Sequence, residues 1–401
     1  MVAVTLRHRR AIHRQAGFSL VELMIGMVIA LIGTIVIFQV FAFNESYKRT
    51  TTAAGDAQQS GSFSTYMLER TLRLGGAGFA HMPGVWACPL TAQSGGAAMV
   101  PPAGGYPAPF NGVAPIPNPL RIAPVLIVNG GAAANGSEPD TVIVMGGQHP
   151  TVAMPLRMPT KTPPPAAPTN TIELQSTVGI AANDLLLASD PNVPGECRVV
   201  QSQIAGTTGA VAVNSITLGG AYNPTNSLTG YTDKVNLADI GNFANEGRAP
   251  IVRAFAVDST ANALRGYDIL LGRNETVADN IVNIQAVYGV TNDATSDVVT
   301  CWAAPTGAGA SGTLSASAAD IARIRAVRVV VVARSAQLEK ATGELAYTAP
   351  DMTLFGDITA AGAWCGGGDD KITFSPAQKQ NRYRTYDITI PLRNMLLMNK
   401  I

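Results

Sequence analysis

The chain has 401 residues, with 28 Lys+Arg against 27 Asp+Glu and a formal net charge of +1. Charged residues make up only 14%, well below the ~25% of an average soluble domain, while the apolar content suffices for a core. A chain kept disordered by charge is therefore excluded, and so is a strongly basic nucleic-acid binder. Of four His, His8 and His13 lie in a basic N-terminal stretch, leaving His81 and His149. A zinc site built from several His is not available; HExxH, P-loop and GxSxG patterns are absent from the sequence, and no GxGxxG is read between a strand and a helix. No catalytic residue, metal or cofactor is assigned, and the chain is not read as an enzyme.

Residues 1–17 carry Arg7, Arg9, Arg10 and Arg14 and no acid. Residues 18–43 follow as 26 residues with a single charge, Glu22. A helix of that length crosses the ~30 Å hydrocarbon core of a bilayer with some tilt. The positive-inside rule predicts that the basic leader stays in the cytoplasm. A cleavable secretory signal has an apolar core of ~7–15 residues and a small-residue site after it; this run is longer and has no such site near its end. A plain anchor leaves Glu22 unexplained, because a carboxylate at membrane depth costs roughly 2.5–3.5 kcal/mol and such groups usually have a partner.

Gly17-Phe18-Ser19-Leu20-Val21-Glu22-Leu23-Met24, between a basic leader and an apolar run, resembles the class III signal of type IV prepilins. The resemblance implies cleavage between Gly17 and Phe18 by the prepilin peptidase, N-methylation of Phe18, and a role for Glu22 in subunit recruitment. In a filament Glu22 would meet the amino group of a neighbouring subunit's Phe18, so that two charges in an apolar bundle compensate each other. Loss of residues 1–17 removes four Arg, so 24 basic residues face 27 acidic ones and the formal net charge becomes −3.

Beyond the apolar run the chain turns polar without Pro, and Phe63, Tyr66, Met67 and Leu74 return at helical spacing. A spine helix is predicted over residues 18–74, about 85 Å at 1.5 Å per residue, with residues 18–43 in the membrane, a weak point at 50–55 and Gly75-Gly76 as its stop. Residues 75–168 read as a Pro/Gly-rich loop insertion. Its part from 83 onward holds 18 of the 26 Pro and five charged residues, with short strands admitted at 124–128 and 141–145. Residues 169–401 read as a mostly antiparallel head. Strands are expected at 171–175, 184–188, 197–204, 210–218, 251–257, 266–271, 281–290, 325–334 and 383–390, with a short helix at 318–324. The fold class is α+β.

Cys88, Cys197, Cys301 and Cys365 all lie beyond the membrane segment and form no CxxC, which favours disulfides in an oxidising compartment. Three connectivities are open; loop economy favours Cys88–Cys197 with Cys301–Cys365. Trp86, Trp302 and Trp364 lie within two residues of a Cys, which suggests packing against disulfides. Asn292, Asp293 and Asp297, and Asp369-Asp370, are oxygen-rich turns without the spacing of an EF-hand and read as solvated.

Residues 284–290, Ile-Gln-Ala-Val-Tyr-Gly-Val, then Trp302, then 326–335, Ala-Val-Arg-Val-Val-Val-Val-Ala-Arg-Ser, and a close at Thr389-Ile390-Pro391-Leu392-Arg393-Asn394 resemble the C-terminal pattern of PilW minor pilins. The resemblance implies a structural subunit that joins other minor pilins in starting pilus assembly and ends at the pilus tip. Its implied partners are other minor pilins, the major pilin, the prepilin peptidase, the inner-membrane assembly platform and a tip adhesin, with no nucleic acid specifically implied. The implied location is the inner membrane, single-pass with the N-terminus cytoplasmic, and then the extracellular pilus. A type II secretion minor pseudopilin and a membrane-tethered adhesin are the competing readings.

Overall fold

A computed structural model describes residues 17–133, 136–148, 156–160, 167–193, 195–203, 214–223, 227–244, 246–293, 295–305, 317–339, 347–358, 370–375 and 377–398. It is an α+β chain, a long helix Leu20–Leu72 (α1) followed by a largely antiparallel β domain. The chain divides into two compact units, residues 1–52 and 53–401.

In the first unit, every described residue from 17 to 45 whose side chain is placed is exposed, Leu, Ile, Val, Met and Phe included. Thr34 donates its hydroxyl to the carbonyl of Ala30 at 2.7 Å and Thr51 to that of Tyr47 at 2.9 Å. Such back-bonding satisfies a hydroxyl inside the helix without any outside partner.

The second unit begins with the last part of α1. The expected apolar face is corrected here. Phe63 and Tyr66 are exposed, and the buried row is Ala53, Ala57, Gly61, Ser64, Leu68 and Leu72. The spacing of three and four residues is that of a helix face, but its upper members are small because a strand approaches closely. A Cβ at Gly61 would lie inside the ring of Tyr386, whose hydroxyl reaches the Gln58 carbonyl at 3.1 Å. The helix ends at Leu72, and the amide of Gly75 donates to the Leu72 carbonyl at 3.0 Å. Gly76 follows at φ +77°, a conformation that glycine adopts without strain.

That strand belongs to a four-stranded antiparallel sheet ordered Cys301–Ala303, Ile281–Val290, Ile324–Arg334, Tyr383–Pro391. Val329, Val330, Val331 and Val332 are all buried, as a continuous β-branched run requires of a central strand. Val329 and Val331 join the core that contains Leu68 and Leu72, while Val330 and Val332 pack with Leu354, Phe355 and Phe374 on the other face. Pro391 sits at the end of the edge strand, opposite Ala326, where a missing N–H interrupts no ladder.

A five-stranded sheet runs Arg273–Asp279, Ala263–Asp268, Ile251–Asp258, Thr141–Gly146, Val125–Val128. Its last two strands are the short ones admitted within the Pro-rich stretch, and Val142, Ile143 and Val144 are fully buried. Tyr288 ties this sheet to the previous one: its buried hydroxyl accepts from the Ile127 amide at 2.6 Å, and burial pushes the phenol upward from its ordinary pKa. A third sheet has the path Ala97–Val100, Leu90–Ser94, Cys197–Gln203, Leu185–Ser189, Asn236–Gly241, Leu156–Arg157, with Ser215–Leu218 and Thr171–Glu173 attached. Leu90 pairs with Cys197 in parallel, beside the disulfide Cys88–Cys197 (Cα–Cα 5.7 Å), which is the favoured pairing for those two Cys. Cys301 is also disulfide-bonded, while Cys365 lies outside the described residues, as do Trp364 and Asp369.

Candidate functional site

The candidate site is the N-terminal end of α1. Gly17, Phe18 and Ser19 precede the helix, and the first turn closes where the Leu23 amide donates to the Ser19 carbonyl at 3.1 Å. Gly17 has nothing within 4 Å of the position its Cβ would take, and Phe18 is 83% exposed. The backbone at 17 and 18 is thus uncovered by any other described part of the chain. Glu22 is the acid of the first helical turn, where the partial positive charge of unsatisfied amides favours a carboxylate. That dipole offsets only part of a full charge in apolar surroundings.

Gly17, Phe18 and Glu22 therefore lie within one and a half turns of each other at one end of an exposed apolar helix. Leu20–Leu72 contains a window of mean hydropathy 2.6, none of it buried within the chain. Leu, Ile and Phe side chains left fully outward are stable only against lipid or other apolar helices.

No group of three or more His, Cys, Asp or Glu able to hold a metal ion occurs among the described residues. In the turn with Asn292, Asp293 and Asp297, Asp293 accepts from the Thr295 amide at 2.9 Å and its hydroxyl at 2.8 Å, and these bonds hold its carboxyl below the usual range. Nearby Arg325, almost fully buried, donates to the carbonyls of Ser296 at 2.8 Å and Ala322 at 2.5 Å. The carboxylates of Asp297 and Asp293 bear on that guanidinium. The turn is organised by an internal cation, which the sequence pattern did not reveal. The side chain of Asp370 lies outside the described set.

Elsewhere on the head, Arg328 ties the turn at Asp357 to the four-stranded sheet. It pairs with Asp387 at 2.6 Å and Asp357 at 2.8 Å, which pushes its own pKa further up, and it lies 5.3 Å from the ring centroid of Phe355. Trp86, next to the Cys88 segment, packs on Phe79 with ring centroids 5.7 Å apart.

Two family models match the chain. Residues 265–394 match PilW, type IV pilus-assembly protein W. Residues 12–38 match the prokaryotic N-terminal methylation motif. No curated protein and no solved structure matches.

Proposed function

From a chain that these two matched segments make a PilW-family type IV pilin, we propose a minor pilin that is cut between Gly17 and Phe18, is methylated on Phe18 and helps to start pilus assembly. Residues 1–17 are the leader, residues 18–43 the membrane span and residues 75–401 the extracellular head. Before assembly the protein sits in the inner membrane with its N-terminus cytoplasmic. It then joins other minor pilins through its helix, and the large head suits the filament tip, where no further subunit must stack above it.

One observation carries this reading: a single carboxylate, Glu22, stands four residues after Phe18 in an apolar run exposed on all sides. Once residues 1–17 are removed, the new Phe18 amine of a neighbour is a cation of matching position. The pair is stabilising only if both charges enter the apolar bundle together; one without the other leaves an uncompensated buried charge.

The test compares wild type with Glu22→Ala, measuring intact mass, membrane-fraction protein and sheared surface pili. Removing a carboxylate makes membrane insertion easier, so Glu22→Ala should be processed and membrane-embedded while piliation falls sharply. Mature protein that still begins at Met1, or normal piliation with Glu22→Ala incorporated, would reject the proposal.

A further inference from the structure

A buried polar cluster of the head lies where the third sheet hands the chain to the five-stranded one. Strand Asn236–Gly241 ends the first of these and strand Ile251–Asp258 enters the second. Asp239, on the outgoing strand, and Asp184, immediately before its neighbour Leu185–Ser189, have fully buried side chains. Arg248 folds back from the connecting 3-10 turn Glu246–Arg248, its guanidinium 3.2 Å from Asp184 and 4.0 Å from Asp239. The backbone is drawn in as well. The Asn242 amide donates to the Arg248 carbonyl at 2.7 Å, and Gly241 sits at φ +123° where a Cβ would collide with that carbonyl.

The charge count of this cluster does not balance with every group in its usual state. Two carboxylates face one guanidinium, and a net negative charge in a buried site is strongly disfavoured. Asp184 already accepts from the Ala181 amide at 2.5 Å, Asn242 Nδ2 at 3.1 Å and Arg248. Asp239 accepts from the Gly241 amide at 2.9 Å, and the charge of Asp184 bears on it. Two buried carboxyls facing one guanidinium become neutral as a group when they hold one proton between them.

We propose that Asp239 and Asp184 hold one proton between them and, with Arg248, form a neutral clasp between the two sheets that loosens when the proton is lost. The assignment of the proton to Asp239 agrees with its raised pKa, which burial and then the Asp184 charge push up to about 7. The ionisable groups acting on Asp239 are Asp184 and Arg248. Because the folded value is raised, the clasp contributes fully below the ordinary carboxyl range. It weakens as pH climbs from about 4 and has lost that contribution once pH passes about 7. The head is thus held more firmly in acidic surroundings than in neutral ones.

The test uses the full mature chain and compares wild type with Asp239→Asn, which keeps the shape and supplies a donor to Asp184 without a titrating proton. Hydrogen exchange of the Leu237 and Ile240 amides, corrected for intrinsic rate, reads the opening equilibrium from about pH 4.5 to about pH 8.5. The ratio of wild-type to variant opening should rise up to tenfold per pH unit below about 7 and level off above it. A ratio independent of pH would overturn the proposal. If Asp239→Asn fails to fold, the infrared band of a protonated carboxyl in wild-type protein decides. It should be present at about pH 6 and gone by about pH 8.5; its absence at about pH 6 would equally overturn the clasp.

Discussion

Between Leu20 and Phe43 the helix turns Leu, Ile, Val, Met and Phe outward on every side, whereas between Ala53 and Leu72 it buries Ala53, Ala57, Gly61 and Ser64 with Leu68 and Leu72 and leaves Phe63 and Tyr66 exposed. Each stretch belongs to its own compact unit. Size alone would assign burial the other way round. In the first stretch the apolar surroundings must come from outside the chain, so large side chains are retained without any internal contact. In the second the surroundings are a β-strand of the same chain at close range, and small residues are what that distance admits.

Two substitutions should separate the stretches most sharply. Leu68→Ala removes a fully buried side chain and should cost the head about 3 kcal/mol. It should show as a lower denaturation midpoint with unchanged membrane insertion. Ile32→Lys should do the reverse: insertion should lose about 3 kcal/mol, while the melting of the head stays in place. A head destabilised by Ile32→Lys would break the comparison.

Gly61→Val tests the close approach directly. Its added atoms fall within the Tyr386 ring, and overpacking of this kind costs about 1–3 kcal/mol. Adding Tyr386→Ala, which vacates the space, should make the Gly61→Val penalty smaller in a double-mutant cycle by chemical denaturation. Additive losses would place the strain elsewhere. Tyr386→Phe removes only the hydroxyl that reaches the Gln58 carbonyl and should cost about 1 kcal/mol or less. At the small end, Phe63→Ala should change head stability by no more than about 0.5 kcal/mol, because the ring is exposed. A pronounced fall in pilus yield with that variant would show that the exposed ring works between subunits.

The strands Ile281–Val290, Ile324–Arg334 and Tyr383–Pro391 were legible because β-branched residues fill them and turn residues bound them. Arg273–Asp279 was not, since an edge strand facing water on most positions carries Arg, Asn, Glu and Thr and no apolar alternation. Asn236–Gly241 escaped notice for the opposite reason: it is buried throughout yet contains Asp239, whose charge reads as a loop until Asp184 and Arg248 are seen beside it. The helix face was misread because Phe63 and Tyr66 carry the hydrophobic signal while Gly61 and Ser64 carry the packing.

The candidate site needed little beyond sequence. Gly17, Phe18 and Glu22 are neighbours along one stretch of backbone, and the apolar run and the basic leader are local properties of composition. Among the described residues from 17 to 45 every placed side chain is exposed, so no tertiary contact is seen to intervene there. The head depends on contacts that join distant positions: Cys88 with Cys197, Gly61 with Tyr386, Asp184 with Asp239 and Arg248. A pattern in sequence reports which side chains prefer to leave water. Which of them meet, and which charges are thereby forced to share a proton, is set by the path of the chain between them, and only the folded structure decides that.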